Sequence, residues 1–199
     1  MKYADGATPL DPDELEGLRF KHIETRGELN QLEQQNIQDG LRWLDRQKKI
    51  ADILSDSFVR RLHKQLFGEV WKWAGTLRLS EKNLGVDPIH ISVELRNLLD
   101  DSSYWIEHNT FTVLEFAARF HHRLVQIHAF PNGNGRHARI MTDVILKRLF
   151  NKPGLSWGGV SIDGQGDVRT AYIESLRQAD RGDYNPLITF LSQGYNTEN

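Results

Sequence analysis

Residues 128–139 read His-Ala-Phe-Pro-Asn-Gly-Asn-Gly-Arg-His-Ala-Arg, and the rest of the chain is best interpreted from this stretch outward. A histidine precedes a tight turn with two glycines, and an apolar run over 140–150 follows, which predicts a buried helix. Glycines let backbone N–H groups converge on one point, and a helix N-terminus adds partial positive charge there. The pattern therefore favours an anion site, suited to phosphate, at a helix start.

Three side chains around this turn have the chemistry that phosphate transfer requires. Arg136 and Arg139 lie on one helical turn, and each offers a fork of hydrogen-bond donors. His128 precedes the turn, and an imidazole with an ordinary pKa of about 6.5 can act as a general base. The same residues are also compatible with an ordinary turn, solvated arginines and a structural histidine, and the Walker A spacing is absent.

The surrounding sequence predicts a single domain that is mainly α, with one β-hairpin. Thr25 and Glu28 have the spacing of a capping box, as do Thr112 and Glu115, and apolar residues at helical spacing follow each pair. A period of two over 76–92, interrupted by turn residues, predicts the hairpin. The remaining expectations are a loop over the first ten residues, a helix capped by Asp11, a helix around 58–67 that stops near Gly68, a helix around 95–99, and helices over about 167–179 and 186–192.

Composition excludes several classes of protein. The 199 residues include no cysteine, which rules out disulfides, thiolate metal sites and a cysteine nucleophile. The formal net charge of −2 argues against direct nucleic-acid binding, and the absence of a long apolar run argues against a membrane partner. An acidic start without an apolar segment predicts a cytoplasmic protein. The average charge hides a local excess, because residues 116–142 contain four arginines and no carboxylate.

The segment resembles the signature of Fic-domain (Fic/Doc) proteins, His-x-Phe-x-Asp/Glu-Gly-Asn-Gly-Arg-x-x-Arg, and departs from it only at Asn132. The similarity extends over about 58–191, through Trp73-Ala74-Gly75-Thr76, His122-Arg123-Leu124-Val125 and Asp180-Arg181-Gly182-Asp183. The Pro131-Asn132 variant is most similar to a bacterial subgroup called mobile mystery protein B. The resemblance implies a Fic-type helical bundle with a hairpin flap. It divides the chain into a helical extension at 1–57 packed on the core, a core at 58–191 and a tail at 192–199.

The resemblance also implies an activity, the transfer of AMP from ATP to a Ser, Thr or Tyr hydroxyl of a target protein. His128 would take the hydroxyl proton, Arg136 would hold the β-phosphate and Arg139 the γ-phosphate. Three residues of the turn would form the anion hole: Gly133, Asn134 and Gly135. Two residues, Tyr172 and Asp180, stand where the family contacts adenosine. The flap would dock the target as an added strand, through Leu79, Ser80, Glu81, Lys82 and Asn83.

The departure at Asn132 concerns Mg²⁺, which the family holds with an acid at this position. An amide oxygen supplies no charge, so we expect weak metal binding and a slow or conditional transferase. Many Fic proteins are also inhibited by a helix with Ser/Thr-x-x-x-Glu-Gly/Asn, whose glutamate pairs with the second signature arginine. That pattern is not intact here. Glu28 is the candidate inhibitory residue, although its capping box is the favoured interpretation, and a helix-turn-helix, antitoxin-like partner is the alternative source of inhibition.

Other interpretations stay open. The chain could be a catalytically silent nucleotide-binding regulator or toxin component, or it could transfer UMP, phosphate or phosphocholine. His121 and His122 are adjacent on a helix without an accompanying acid, which favours surface positions over a metal site.

Overall fold

A computed structural model describes residues 12–23, 25–47, 52–158, 166–193 and 195 of the chain. The described residues form eight α-helices, and a 3₁₀ turn (Pro88–His90) comes before the fourth. The helices are α1 (Pro12–Leu15), α2 (Arg26–Arg46), α3 (Asp56–Phe67), α4 (Ile91–Glu107), α5 (Val113–Ile127), α6 (Asn134–Leu149), α7 (Asp167–Asp180) and α8 (Asn185–Ser192). The mainly α class is confirmed, whereas the loop predicted for the first ten residues and the cap at Asp11 lie outside the described residues.

Helices α5 and α6 pack against each other in the middle of the molecule. On one side α4 packs on α5 and α3 on α6, with α2 lying against α3; on the other side α8 packs on α5 and α7 on α8. Residues of α5 contribute to both hydrophobic clusters, one shared with α2, α3, α4 and α6 and the other with α6, α7 and α8. No helix in the described ranges is both long and apolar enough to cross a membrane.

The helix boundaries follow the predicted caps. The Thr25 hydroxyl accepts from the Glu28 amide at 3.2 Å, and the Glu28 carboxylate accepts from the Thr25 amide at 3.0 Å, which confirms the capping box. The Thr112 hydroxyl accepts from the Glu115 amide at 3.3 Å and starts α5. Helix α3 ends at Phe67 with Gly68 as its cap, also as predicted.

The predicted β-hairpin over 76–92 is wrong. Residues 77–87 form an irregular segment, the 77–87 loop, and Ile91 already begins α4. The Asp87 carboxylate accepts from the amide of Ile89 at 2.9 Å, so the Asp-Pro pair starts a helical turn where the alternating pattern predicts a strand.

In this loop the side chain of Arg78 makes hydrogen bonds to the backbone that a partner strand would make in a hairpin. Arg78 is 2% exposed, and its guanidinium donates to three backbone carbonyls, those of His128 at 2.6 Å, of Ser80 at 2.8 Å and of Val86. The loop is therefore held by one buried cation instead of a hydrogen-bonded ladder.

The chain before α2 runs alongside the segment that precedes the 77–87 loop. Leu18 and Trp71 form an isolated antiparallel bridge, and the Lys72 amide donates to the Gly17 carbonyl at 2.8 Å. The Trp73 indole donates to the carbonyl of Glu14 at 3.0 Å. These contacts bring α1 next to the 77–87 loop.

Candidate functional site

His128 caps the C-terminus of α5 and lies in the left-handed backbone region, with φ 53° and ψ 57°. A residue other than glycine adopts this conformation rarely, and such outliers concentrate at functional sites. The residue is 7% exposed. Burial first, and then the charges of Arg78 and Lys82, lower the pKa of His128 to about 4, against a hydrogen bond to Val125 that raises it. The imidazole is therefore neutral at pH 7 and able to accept a proton.

The turn that follows His128 leads directly into the N-terminus of α6. Gly133 has φ 79°, and a Cβ there would lie 2.7 Å from the Phe67 ring, so both conformation and space require glycine. The Asn134 side chain closes the turn: its amide donates to the Phe130 carbonyl at 2.7 Å, and its oxygen accepts from the Phe130 amide at 2.9 Å. Asn134 thus contributes a brace as well as a backbone N–H.

The first turn of α6 is sterically open at Gly135. Backbone N–H groups at 134–136 have no carbonyl of the preceding turn to bond, and they carry the positive end of the helix dipole. A Cβ at Gly135 would meet no heavy atom within 4 Å. The backbone at this point is therefore accessible, as a phosphate site requires.

His63 of α3 supports the turn from below. The Gly75 amide donates to its Nδ1 at 3.0 Å, so Nε2 carries the proton and donates to the Asn132 carbonyl at 3.0 Å. Its ring stacks on Phe130 with centroids 3.7 Å apart, and burial holds its pKa well below the usual value. Sequence reasoning missed this residue, although its position on the apolar face of α3 signals a buried polar group.

Arg136 points from α6 to a second residue that sequence reasoning missed, Glu33 of α2. Arg136 Nη1 donates to one oxygen of the buried Glu33 carboxylate at 2.8 Å, and the Trp71 indole donates to the other at 2.7 Å. A signal was present, because Glu33 follows Leu29 by four residues on the buried face of α2. The first signature arginine is thus ion-paired in this structure.

The other predicted residues lie toward α7. Arg139 is nearly buried, and its charge adds to burial in lowering the pKa of His121 to about 3. Tyr172 is buried with its hydroxyl 2.8 Å from His121 Nε2, while Asp180 lies 2.9 Å from His122 Nε2. Both histidines are buried by the packing of α5 on the helices behind it, so the surface interpretation is wrong. The adenosine contacts of Tyr172 and Asp180 stay predictions.

The side-chain oxygen at Asn132 is not a suitable ligand for Mg²⁺ in this structure. The Asn132 side-chain oxygen accepts from the Gly133 amide at 2.7 Å and from Arg136 Nη2 at 3.4 Å, so donors of its own loop engage it. No cluster of three His, Asp or Glu side chains suited to a metal ion occurs among the residues that the structure describes. Mg²⁺ prefers carboxylate oxygen, which this position does not offer.

The five predicted docking residues divide into two groups. Leu79 is 91% exposed, and Glu81 and Asn83 are exposed as well. Ser80 and Lys82 turn inward, and the Lys82 ammonium lies 2.5 Å from the Glu14 carboxylate. The candidate inhibitory residue, Glu28, is exposed and engaged in its capping box.

Comparison with known proteins points to one family. Residues 53–146 match the sequence model of the Fic/DOC family. The chain is 27% identical over 153 residues to the protein adenylyltransferase fic-1 of Caenorhabditis elegans, covering 73% of this chain and 28% of the relative. It is 42% identical over 80 residues to the protein adenylyltransferase Fic of Nematostella vectensis, covering 40% of this chain and 17% of the relative. This chain therefore spans less than a third of either relative.

Solved structures share the fold. BepC of Bartonella tribocorum, with bound AMPPNP, has a TM-score of 0.70 at 17% identity, over 92% of this chain and 97% of that one. Fic-1 of C. elegans has a TM-score of 0.62 at 23% identity, over 89% of this chain and 51% of that one. At these identities the likeness concerns the helical architecture alone.

Proposed function

This chain belongs to the Fic/DOC family, and from that premise we propose that it is a protein adenylyltransferase, which moves AMP from ATP to a Ser, Thr or Tyr hydroxyl of a target protein. One observation carries the proposal. The buried, neutral imidazole of His128 precedes a turn that opens onto the accessible N-terminus of α6. The names of the two adenylyltransferase relatives and the AMPPNP bound by BepC support the choice of ATP as co-substrate.

In the proposed reaction, His128 accepts the proton of the target hydroxyl as its oxygen attacks the α-phosphorus. The new O–P bond forms while the bond from the α-phosphorus to the bridging oxygen breaks, and pyrophosphate leaves. A triphosphate beside His128 raises its pKa from about 4 toward neutrality, because a nearby negative charge favours the protonated imidazole. His128 then becomes a stronger base when ATP is bound.

The remaining residues position the triphosphate and receive its charge. The backbone of Gly133, Asn134 and Gly135 forms the anion hole, while Arg136 holds the β-phosphate and Arg139 the γ-phosphate. Asp180 is half exposed and is the better-placed of the two proposed adenosine contacts, since Tyr172 is buried. The target docks on the exposed side of the 77–87 loop, next to Leu79.

The ion pair between Glu33 and Arg136 makes the proposed transferase conditional. A β-phosphate has to displace Glu33 before it reaches the Arg136 guanidinium, so the resting site is restrained from within. A helix-turn-helix partner, as in a bacterial toxin–antitoxin pair, is the proposed external control. The extension at 1–57, which contains Glu33, is proposed to belong functionally to the core at 58–191.

Labelled ATP tests the proposal. The purified chain is incubated with a cell lysate and ATP labelled at the α- or the γ-phosphate, and protein-bound label is measured. We expect α-label on protein and a loss of about 100-fold or more in His128→Ala, the range attributed to general bases. The exposed His108 provides a matched control, His108→Ala, which should behave like wild type. Transfer of γ-label, or bound ATP without any transfer, would contradict the proposal and favour phosphate transfer or a silent regulator.

A further inference from the structure

The 77–87 loop lies directly on the His128 turn. The Arg78 amide donates to the Ala129 carbonyl at 3.0 Å, and the Arg78 side chain donates to the His128 carbonyl at 2.6 Å. At the other end of the loop, a Cβ on Gly85 would lie 2.7 Å from the Cβ of His128. Both ends are therefore fixed against the turn, and Lys82 lies between them.

Lys82 is buried in this loop, although both of its neighbours are exposed. Its side chain is 3% exposed and pairs with Glu14, whose own side chain is 12% exposed. Its ammonium is close enough to His128 for the charge to contribute to the lowered pKa of that imidazole. Burying a lysine costs considerable desolvation energy, so an inward-facing ammonium in the loop that lies on the His128 turn calls for a reason.

The lack of a metal-binding carboxylate at Asn132 gives a reason for burying this lysine. A triphosphate brings about four negative charges, and phosphoryl-transfer sites neutralise them with metal ions, lysines and arginines. The amide of Asn132 brings no negative charge with which to hold a cation, and its oxygen is already engaged by the Gly133 amide and Arg136. The positive charge must then come from the chain itself.

We propose that Lys82 supplies the positive charge that a metal ion would otherwise bring, so that this chain binds ATP as the metal-free triphosphate. The inference rests on the proposed function, because it assumes that ATP occupies this site. Glu14 holds the ammonium while the site is without nucleotide. When ATP binds, the flexible lysine stem lets the ammonium exchange the Glu14 carboxylate for a phosphate oxygen.

Equilibrium binding of ATP, measured by calorimetry in excess EDTA and in excess Mg²⁺, tests the proposal. The key variant is the double substitution Glu14→Gln with Lys82→Met, which removes both charges and leaves no unpaired buried ion. We expect wild type to bind ATP in EDTA, the double variant to bind about tenfold or more weakly, and Glu14→Gln alone to bind several-fold more tightly. Lys72→Met, at an exposed neighbouring lysine, should leave binding unchanged.

A rescue experiment separates a phosphate contact from a merely structural lysine. Adding Asn132→Asp to the double variant supplies a carboxylate, so Mg²⁺ should restore about tenfold of the lost affinity while EDTA abolishes the gain. The proposal is overturned if wild type binds ATP only with Mg²⁺, if the double variant binds as wild type does, or if Mg²⁺ restores nothing. Wild type that binds no ATP at all would overturn the proposed function as well. If wild type binds ATP in a way that depends on Lys82 but transfers no label, the proposed function is overturned and the role of Lys82 stands.

Discussion

At the scale of single residues, the strained backbone of His128 is stabilised by groups that do no chemistry themselves. Its left-handed conformation costs on the order of 1–3 kcal/mol for a residue with a side chain. The guanidinium of Arg78 binds the His128 carbonyl, and the ring of His63 holds the Asn132 carbonyl four residues later. Two buried side chains from other segments thus fix both sides of the turn, on which the proposed base and the proposed anion site both depend.

Gly135 provides the sharpest test of the anion site, because nothing in the folded chain requires glycine there. A Cβ at this position meets no heavy atom within 4 Å, so Gly135→Ala should leave stability unchanged or raise it by up to about 1 kcal/mol. The added methyl group would occupy the space over the first N–H groups of α6, and ATP affinity should fall about tenfold or more. Thermal unfolding and calorimetric titration with ATP measure the two effects.

The control for that substitution is Gly27→Ala, in the first turn of α2, where the nearest contact of a Cβ is the Thr25 hydroxyl at 3.9 Å. It should have a similar effect on stability and none on ATP binding. An unchanged affinity in Gly135→Ala would mean that the α6 N-terminus does not bind phosphate.

Among the helices, α2 fixes the position of Glu33. Asn36 locks it onto the end of α3, donating to the Gln65 carbonyl at 3.0 Å and accepting from the Glu69 amide at 2.9 Å. A Cβ on Gly40 would lie 2.9 Å from the Gln65 carbonyl, so the helices approach closely there. The position of Glu33 against Arg136 is therefore set by helix packing and not by a flexible segment.

Removing the charge of Glu33 should raise the rate of the proposed AMP transfer. In Glu33→Gln the amide oxygen can still accept from the Trp71 indole, while the ion pair to Arg136 is lost, so we expect AMP transfer to rise several-fold at limiting ATP. Initial rates of α-label incorporation over a range of ATP concentrations give the measurement. Glu28→Gln serves as the comparison, because glutamine can keep the capping box with Thr25 and no activation is expected. Activation by Glu28→Gln but not by Glu33→Gln would assign the inhibitory role to Glu28 instead of Glu33.

Elements with local signals could be predicted from the sequence, whereas those that depend on distant contacts could not. Thr25 and Thr112 mark their helices because capping is decided within four residues. The pairing of Glu33 with Arg136 joins positions 103 residues apart, and no local pattern encodes it. The 77–87 loop alternates like a hairpin, but the buried Arg78 supplies its hydrogen bonds, which alternation does not reveal.

In the whole molecule, packing places acidic side chains from a distant part of the sequence beside the basic residues of the site. Residues 116–142 contain no carboxylate, yet the folded chain brings Glu33 and Glu14 from its N-terminal part to Arg136 and Lys82. Two of the cations proposed to meet phosphate, Arg136 and Lys82, are thus each paired with a glutamate from outside the signature. The charges of the site are thus partly balanced in this structure, and in the proposed reaction an entering triphosphate would compete with two carboxylates.

Four of the five histidines that are buried in the described part of the chain make the stability of this fold sensitive to acid. Burial lowers the pKa of His121 to about 3, of His128 and His137 to about 4, and of His63 well below normal. The unfolded chain, with histidine pKa values of about 6.5, binds more protons below that pH, so the free energy of unfolding should fall between pH 6.5 and 4, by up to about 1.4 kcal/mol per pH unit for each histidine. Asp143, whose pKa burial raises, opposes this effect.

Urea unfolding at pH 7, 6 and 5 measures this slope. His137→Gln should make it shallower by the contribution of one proton, since glutamine can still donate to the Val59 carbonyl that His137 contacts at 3.0 Å and cannot itself be protonated. The exposed His22 provides the control, His22→Gln, which should keep the wild-type slope. A free energy of unfolding that stays constant from pH 7 to 5 would mean that these imidazoles are protonated equally in the folded and unfolded chains, against the burial from which the prediction is derived.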